Sequence, residues 1–208
     1  MISMITAHAG AEGTLPNTPE SLRVLAAIGA DAVEMDVRRA PDGILVLSHN
    51  PVESSSGHLR LEDAFAVVEP AKGLSVNIDL KQEGQIEAVA DIAGRTGMLG
   101  RILFTGSAGS ADIAFAAGAG LPVWYNRFLL PPWRWADPFA AIRQKGLSVL
   151  NVFWRLPGEA MLKANAENLS LWTVDEAADQ ERLLRAGVRN ITTRKPLQAL
   201  RLRANIQM

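Results

Sequence analysis

Short apolar runs alternate with stretches in which apolar residues recur every three or four positions, and the alternation continues along the whole chain. The runs at residues 2–8, 32–38, 74–81, 101–106, 122–126, 147–152, 168–174 and 189–193 have the length and β-branched content of strands. The stretches between them, at 19–28, 61–68, 84–95, 110–117, 138–144, 157–165, 175–186 and 196–204, have helical spacing. Strands separated by helices pair in parallel through right-handed crossovers, so eight such units predict an α/β fold: a closed (β/α)8 TIM barrel, one domain over residues 1–208. A further extended segment, 44–48, pairs locally after the turn signal Pro41-Asp42-Gly43. Asn17 or Thr18 caps the helix opened by Pro19, Gly29 closes it, and Asp175 caps the helix that follows it.

Composition narrows the class without changing the fold. The 208 residues are 48% hydrophobic and 21% charged, which is globular rather than disordered. A net charge of -1 offers no basic footprint, so no nucleic-acid partner is expected. With no cysteine, disulfides, zinc–thiolate sites and a cysteine nucleophile are excluded. No run approaches the roughly 20 apolar residues of a transmembrane helix, and the start lacks the basic and apolar regions of a signal peptide. The expectation is a soluble cytoplasmic protein.

The chemistry sits at the predicted strand ends. In the second run Glu34 and Asp36 share one face while Val33, Met35 and Val37 share the other. Two anions aimed at one spot require a cation between them, a proton on one of them, or a solvated edge where Arg38 or Arg39 pairs with them. The third run repeats the pattern: Asn77, Asp79 and Lys81 share a face, and Val76, Ile78 and Leu80 face the helices. His8 ends the first run and His49 follows the short extended segment. In a barrel all of these meet at the C-terminal rim, where a divalent metal on oxygen ligands suits the carboxylates. The third histidine, His58, lies in a polar loop.

These residues resemble the glycerophosphodiester phosphodiesterase family of metal-dependent (β/α)8 barrels. Ala7-His8-Ala9-Gly10 stands where the family has His-Arg-Gly, Pro16-Asn17-Thr18 where it has Pro-Glu-Asn-Thr, and His49-Asn50 where it has His-Asp. The segment from Gly29 to Val37, with Pro41-Asp42-Gly43, Asn77-Ile78-Asp79-Leu80-Lys81, Leu171-Trp172-Thr173-Val174 and Ala186-Gly187-Val188, continues the match. The resemblance implies that Glu34, Asp36 and Asp79 hold one divalent cation, Mg2+ or Ca2+. It implies that His8 and His49 are the general acid and base, with the assignment between them open, and that Lys81 binds phosphate. It places Trp172 beside the substrate, although the same residue could serve the barrel core. The implied reaction is hydrolysis of a glycerophosphodiester, to glycerol 3-phosphate and an alcohol, or of a lysophospholipid-type headgroup bond.

Departures from the family pattern bear on the anion grip. Ala9 replaces an arginine, Asn50 an aspartate, Asp79 a longer glutamate, and Thr193-Arg194 stands where an aspartate is usual. The glutamate of Pro-Glu-Asn-Thr is missing, with Glu12 a nearby substitute. These changes make a degenerate barrel that binds a phosphorylated ligand without efficient turnover the alternative reading. The stretch between His49 and Asp79 is short and lacks the lobe that covers glycerol, which favours a bulkier or lipid-like diester. The aromatic stretch from Trp124 to Trp135 follows the fifth strand at the same rim. It suits an acyl chain, a membrane surface or a cationic headgroup, or else packing over the barrel or against a second subunit.

Overall fold

A computed structural model describes residues 2–207. The chain forms eight parallel strands in barrel order: β1 (Met4–Ala7), β2 (Ala32–Arg39), β4 (Ser75–Leu80), β5 (Ile102–Gly106), β6 (Tyr125–Asn126), β7 (Leu150–Phe153), β8 (Leu169–Trp172) and β9 (Asn190–Thr193). The short β3 (Leu45–Leu47) runs antiparallel on the far part of β2, pairing Val37 with Leu47 and Arg39 with Leu45. β1 lies between β2 and β9, and β5 meets the β6 segment through one bridge, Phe104 to Val123. The expected (β/α)8 barrel is therefore the fold found, nearly closed.

Eight helices follow the strands: α1 (Pro19–Ala27), α2 (Leu61–Val68), α3 (Ile86–Arg95), α4 (Ser110–Ala119), α5 (Pro138–Arg143), α6 (Glu159–Asn165), α7 (Ala177–Ala186) and α8 (Pro196–Gln207). Each presents its apolar stripe to the outward face of the strands. In α3 the stripe is Ile86, Val89, Ala90 and Ala93, all buried at helical spacing. Thr18 caps α1 by accepting from the Ser21 amide at 3.2 Å, and Gly29 lies left-handed after that helix, as the sequence predicts. Asp175 does not cap α7: the Thr193 hydroxyl, the Arg194 amide and the Arg194 guanidinium claim its carboxylate, and Glu176 is the residue before the helix. Arg203 from α8 pairs with Asp31 and donates to the Ser3 carbonyl at 2.9 Å, while Asp31 accepts from the Ile5 amide at 2.8 Å. This clasp ties the last helix to the first strand.

Inside the barrel the side chains stack by chemistry. At the floor, Leu103, Trp124 and Val149 form a small apolar cluster with Met4 against it. Trp124 thus belongs to the interior rather than to the rim loop expected to begin there. Above it lies a polar layer instead of the branched aliphatics common in such barrels. Thr6 donates to Asn190 at 2.7 Å, Asn190 to Ser170 at 3.0 Å, and Thr105 to Asn77 at 2.9 Å. The Asn126 side-chain oxygen accepts from the Gly106 amide at 2.9 Å. Buried groups matched in this way hold the strand ends in one geometry.

Gly106 closes β5 with φ of 81°, and a methyl group there would overlap the Asp79 carboxylate and the Leu80 backbone. Gly106→Ala is therefore expected to cost about 3 kcal/mol in urea unfolding, from a disallowed φ together with the displaced carboxylate. A cost under about 0.5 kcal/mol, the range of ordinary surface changes, would contradict this account.

Candidate active site

The alternation of β2 delivers Glu34 and Asp36 inward, and its register with β4 sets Glu34 beside Asn77 and Asp36 beside Asp79. Lys81 follows β4 on the same face, His8 follows β1, and His49 arrives on the loop after β3. All seven of these residues line one cavity of about 350 Å3, together with Trp172, Asn126, Phe128 and Arg194. Every site residue expected from sequence is brought to this cavity. The two arginines that could have neutralised a solvated edge are engaged elsewhere: the Arg38 guanidinium donates to the His49 carbonyl at 3.1 Å, and the Arg39 guanidinium to the Gly43 carbonyl at 3.4 Å.

The electrostatics are those of crowded anions. One oxygen from each of Glu34, Asp36 and Asp79 lies within 4.8 Å of the others. Burial, with the charges of Asp79 and Asp36, pushes Glu34 up to about 8. Its Oε2 is buried without a hydrogen-bond partner. Burial also raises Asp79, against the pull of Lys81. Burial acts on Asp36 in the same direction but is more than offset by Lys81 and by the Asn17 amide, leaving Asp36 below the usual carboxylate range. Lys81 sits 2.7 Å from Asp36 and is also paired with Asp79, and these anions hold its ammonium above the ordinary value despite burial. An orphaned, buried carboxylate oxygen beside two more carboxylates is a donor set that fits a hard divalent cation.

The two histidines differ. Burial holds the His8 imidazole below its ordinary value, and Arg194 and Lys81 push the same way. His8 Nδ1 lies 2.7 Å from the Ala9 carbonyl, which can only accept, so the neutral ring carries its proton there and a lone pair on Nε2. That Nε2 lies 3.7 Å from Glu34 Oε2. His49 is exposed, with Nδ1 3.3 Å from the Asn50 side-chain oxygen.

In the sequence Asn17 reads as a possible helix cap and as part of the Pro16-Asn17-Thr18 resemblance, with no role of its own. Its backbone is left-handed, with φ of 60°, and its amide donates to Asp36 Oδ2 at 3.0 Å. Glu12 does not join the site as a substitute glutamate: its carboxylate accepts from the Leu197 amide at the start of α8. Trp172 is half-buried at the end of β8, where it lines both the cavity and an adjoining apolar slot formed with Arg127, Phe128, Trp135, Phe153 and Leu156. Of the aromatic stretch, Tyr125 is buried, Phe128 and Trp135 are exposed at this slot, and Trp133 is exposed.

None of the curated proteins matches the chain. Among solved structures, a glycerophosphodiester phosphodiesterase from Parabacteroides distasonis is 18% identical with a TM-score of 0.77, covering 99% of this chain and 98% of that one. One from Thermotoga maritima is 18% identical with a TM-score of 0.74, covering 97% and 99%. A phosphodiesterase from Oleispira antarctica, solved with its product sn-glycerol-3-phosphate, is 16% identical with a TM-score of 0.75, covering 97% and 96%. These likenesses establish a shared barrel. Residues 8–60, which carry His8, Glu34, Asp36 and His49, match the family model described as the glycerophosphoryl diester phosphodiesterase family. The chain thus shares the barrel of these phosphodiesterases, and over residues 8–60, about a quarter of its length, it is similar to the glycerophosphoryl diester phosphodiesterase family.

Proposed function

We propose that this protein is a metal-dependent phosphoric diester hydrolase that cleaves a glycerophosphodiester to glycerol 3-phosphate and an alcohol. The observation that carries the reading is the convergence of a neutral histidine, Nε2 lone pair free, with three carboxylates that fit one divalent cation. Glu34, Asp36 and Asp79 would hold Mg2+ or Ca2+, which when bound supplies a positive charge for the non-bridging phosphate oxygens. His8 accepts the proton of the attacking water at Nε2, and the water oxygen bonds to phosphorus. The bond from phosphorus to the alcohol oxygen breaks, and His49 protonates the departing alkoxide. Lys81, paired with Asp36 and Asp79, adds positive charge beside the phosphate. The product bound to the Oleispira antarctica phosphodiesterase supports the choice of substrate.

The slot beside Trp172 supports an apolar extension of that substrate. Phe128, Asn151 and Trp172 line both the slot and the cavity, so a chain attached to the diester passes from one into the other. A lysophospholipid has that form, and the exposed Phe128, Trp133 and Trp135 form the matching patch for contact with a lipid surface or a second subunit.

The test is hydrolysis of glycerophosphocholine and lysophosphatidylcholine with Mg2+ or Ca2+, followed by release of choline. Turnover of either is expected, with the lysolipid the better substrate by kcat/KM. If no diester in a broad panel is hydrolysed while metal and glycerol 3-phosphate still bind, the degenerate binding barrel is the correct reading instead.

A further inference from the structure

A phosphodiester brings a negative charge into a cavity already crowded with carboxylates, so its binding needs a cation not committed to them. Two lysine or arginine side chains line the cavity: Lys81 and Arg194. Lys81 is held by Asp36 and Asp79. We propose that Arg194 is the phosphate-binding arginine of this site, supplied from the end of β9 in place of one in the loop after β1. The inference rests on the phosphodiesterase reading and names the residue that grips the anion.

Position supports it first. β1 and β9 are neighbours with Ala7 opposite Thr193, the His8 amide donates to the Thr193 carbonyl at 2.9 Å, and the Glu12 amide donates to the Arg194 carbonyl at 2.9 Å. The loop containing Ala9 therefore lies directly against Arg194. Where the resemblance leads one to expect arginine, the chain has a buried methyl group, and where it leads one to expect an aspartate, the chain has a guanidinium. The cation lost from one strand end is regained on its neighbour.

Orientation supports it next. Asp175 accepts from the Arg194 amide at 2.7 Å and from one guanidinium nitrogen at 3.0 Å, and the Thr193 hydroxyl holds the same carboxylate at 3.1 Å. That anchor uses one edge of the fork. The remaining N–H groups are free to donate to two phosphate oxygens, a geometry that the lysine ammonium cannot supply. The Arg194 side chain is 55% exposed, open to an incoming ligand, and its charge already reaches the His8 imidazole.

The experiment measures binding of sn-glycerol 3-phosphate and of inorganic phosphate by calorimetry in the presence of Mg2+ or Ca2+, alongside KM and kcat on glycerophosphocholine. Arg194→Ala and Arg194→Gln are expected to weaken both ligands about 10- to 100-fold and raise KM comparably, as loss of a charged, bidentate contact does. Arg194→Lys should recover only part of the loss, divalent-metal affinity should stay unchanged, and Arg185→Ala on α7 should match wild type. Ligand affinities and KM within twofold of wild type in both Arg194→Ala and Arg194→Gln would overturn the proposal, as would failure of the wild type to bind either ligand. Should the wild type bind them yet hydrolyse nothing, the catalytic reading falls and the calorimetric series still decides Arg194.

Discussion

His8→Ala is expected to lower kcat on glycerophosphocholine about 10²- to 10⁴-fold, the usual contribution of a positioned acid or base. The two histidines should also separate by pH. His8 must be unprotonated to accept a proton, and burial holds it below the ordinary imidazole value, so in the wild type it governs the acid limb of kcat/KM. Its removal should erase that limb, whereas His49→Ala should lower kcat and leave that limb in place. His58→Ala, in an exposed loop away from the cavity, should behave as wild type. Equal rates in His8→Ala and wild type would remove the assignment.

The second large effect concerns Glu34. Its folded carboxyl is raised to about 8 from an ordinary 4.5, so folding favours the protonated form. The stability this contributes is complete below pH 4.5 and is lost as the pH rises toward and through about 8. Metal-free protein should therefore lose on the order of a few kcal/mol between pH 5.5 and pH 9, followed by thermal denaturation in chelator. Added Mg2+ or Ca2+ should cancel the loss, because binding a cation discharges the proton, and metal affinity should rise with pH. Glu34→Gln, uncharged at every pH, should flatten the metal-free profile and lower hydrolysis at least about 10²-fold. An identical pH dependence in Glu34→Gln and wild type would show that Glu34 is not the strained group.

Much of this was legible in the sequence because strands write their two faces in alternate letters. Glu34 and Asp36, then Asn77, Asp79 and Lys81, could be assigned to the interior before any coordinates, and the register of β2 with β4 set them side by side. What was not legible depended on partners far along the chain. Asp175 looks like a helix cap by local rules, but Thr193 and Arg194 outbid the α7 amides for it. Glu12 looks like a site carboxylate by proximity, but the fold turns it to the amide of Leu197, 185 positions away. Asn17 reaches Asp36 from a left-handed backbone, which its neighbours in sequence do not announce. The aromatic stretch reads as one loop, yet Trp124 points into the barrel floor while Trp133 is 79% exposed.

The single bridge between Phe104 and Val123 makes this barrel uneven around its circumference. β2 and β4 share a register from Ala32 to Val37, whereas two amides, of Phe104 and Trp124, join β5 to the segment before β6. Hydrogen exchange reports local opening, and opening costs least where the fewest backbone bonds must part. The ring thus behaves less like a uniform hoop than like a strip of staves with one loose joint, set away from the clasp that Arg203 and Asp31 make between the first strand and the last helix. The metal-ligand candidates stand on the tightly laced staves, and the aromatic slot stands on those beyond the loose joint. Exchange should therefore begin on the arc that carries the slot and come last on the arc that carries the carboxylates.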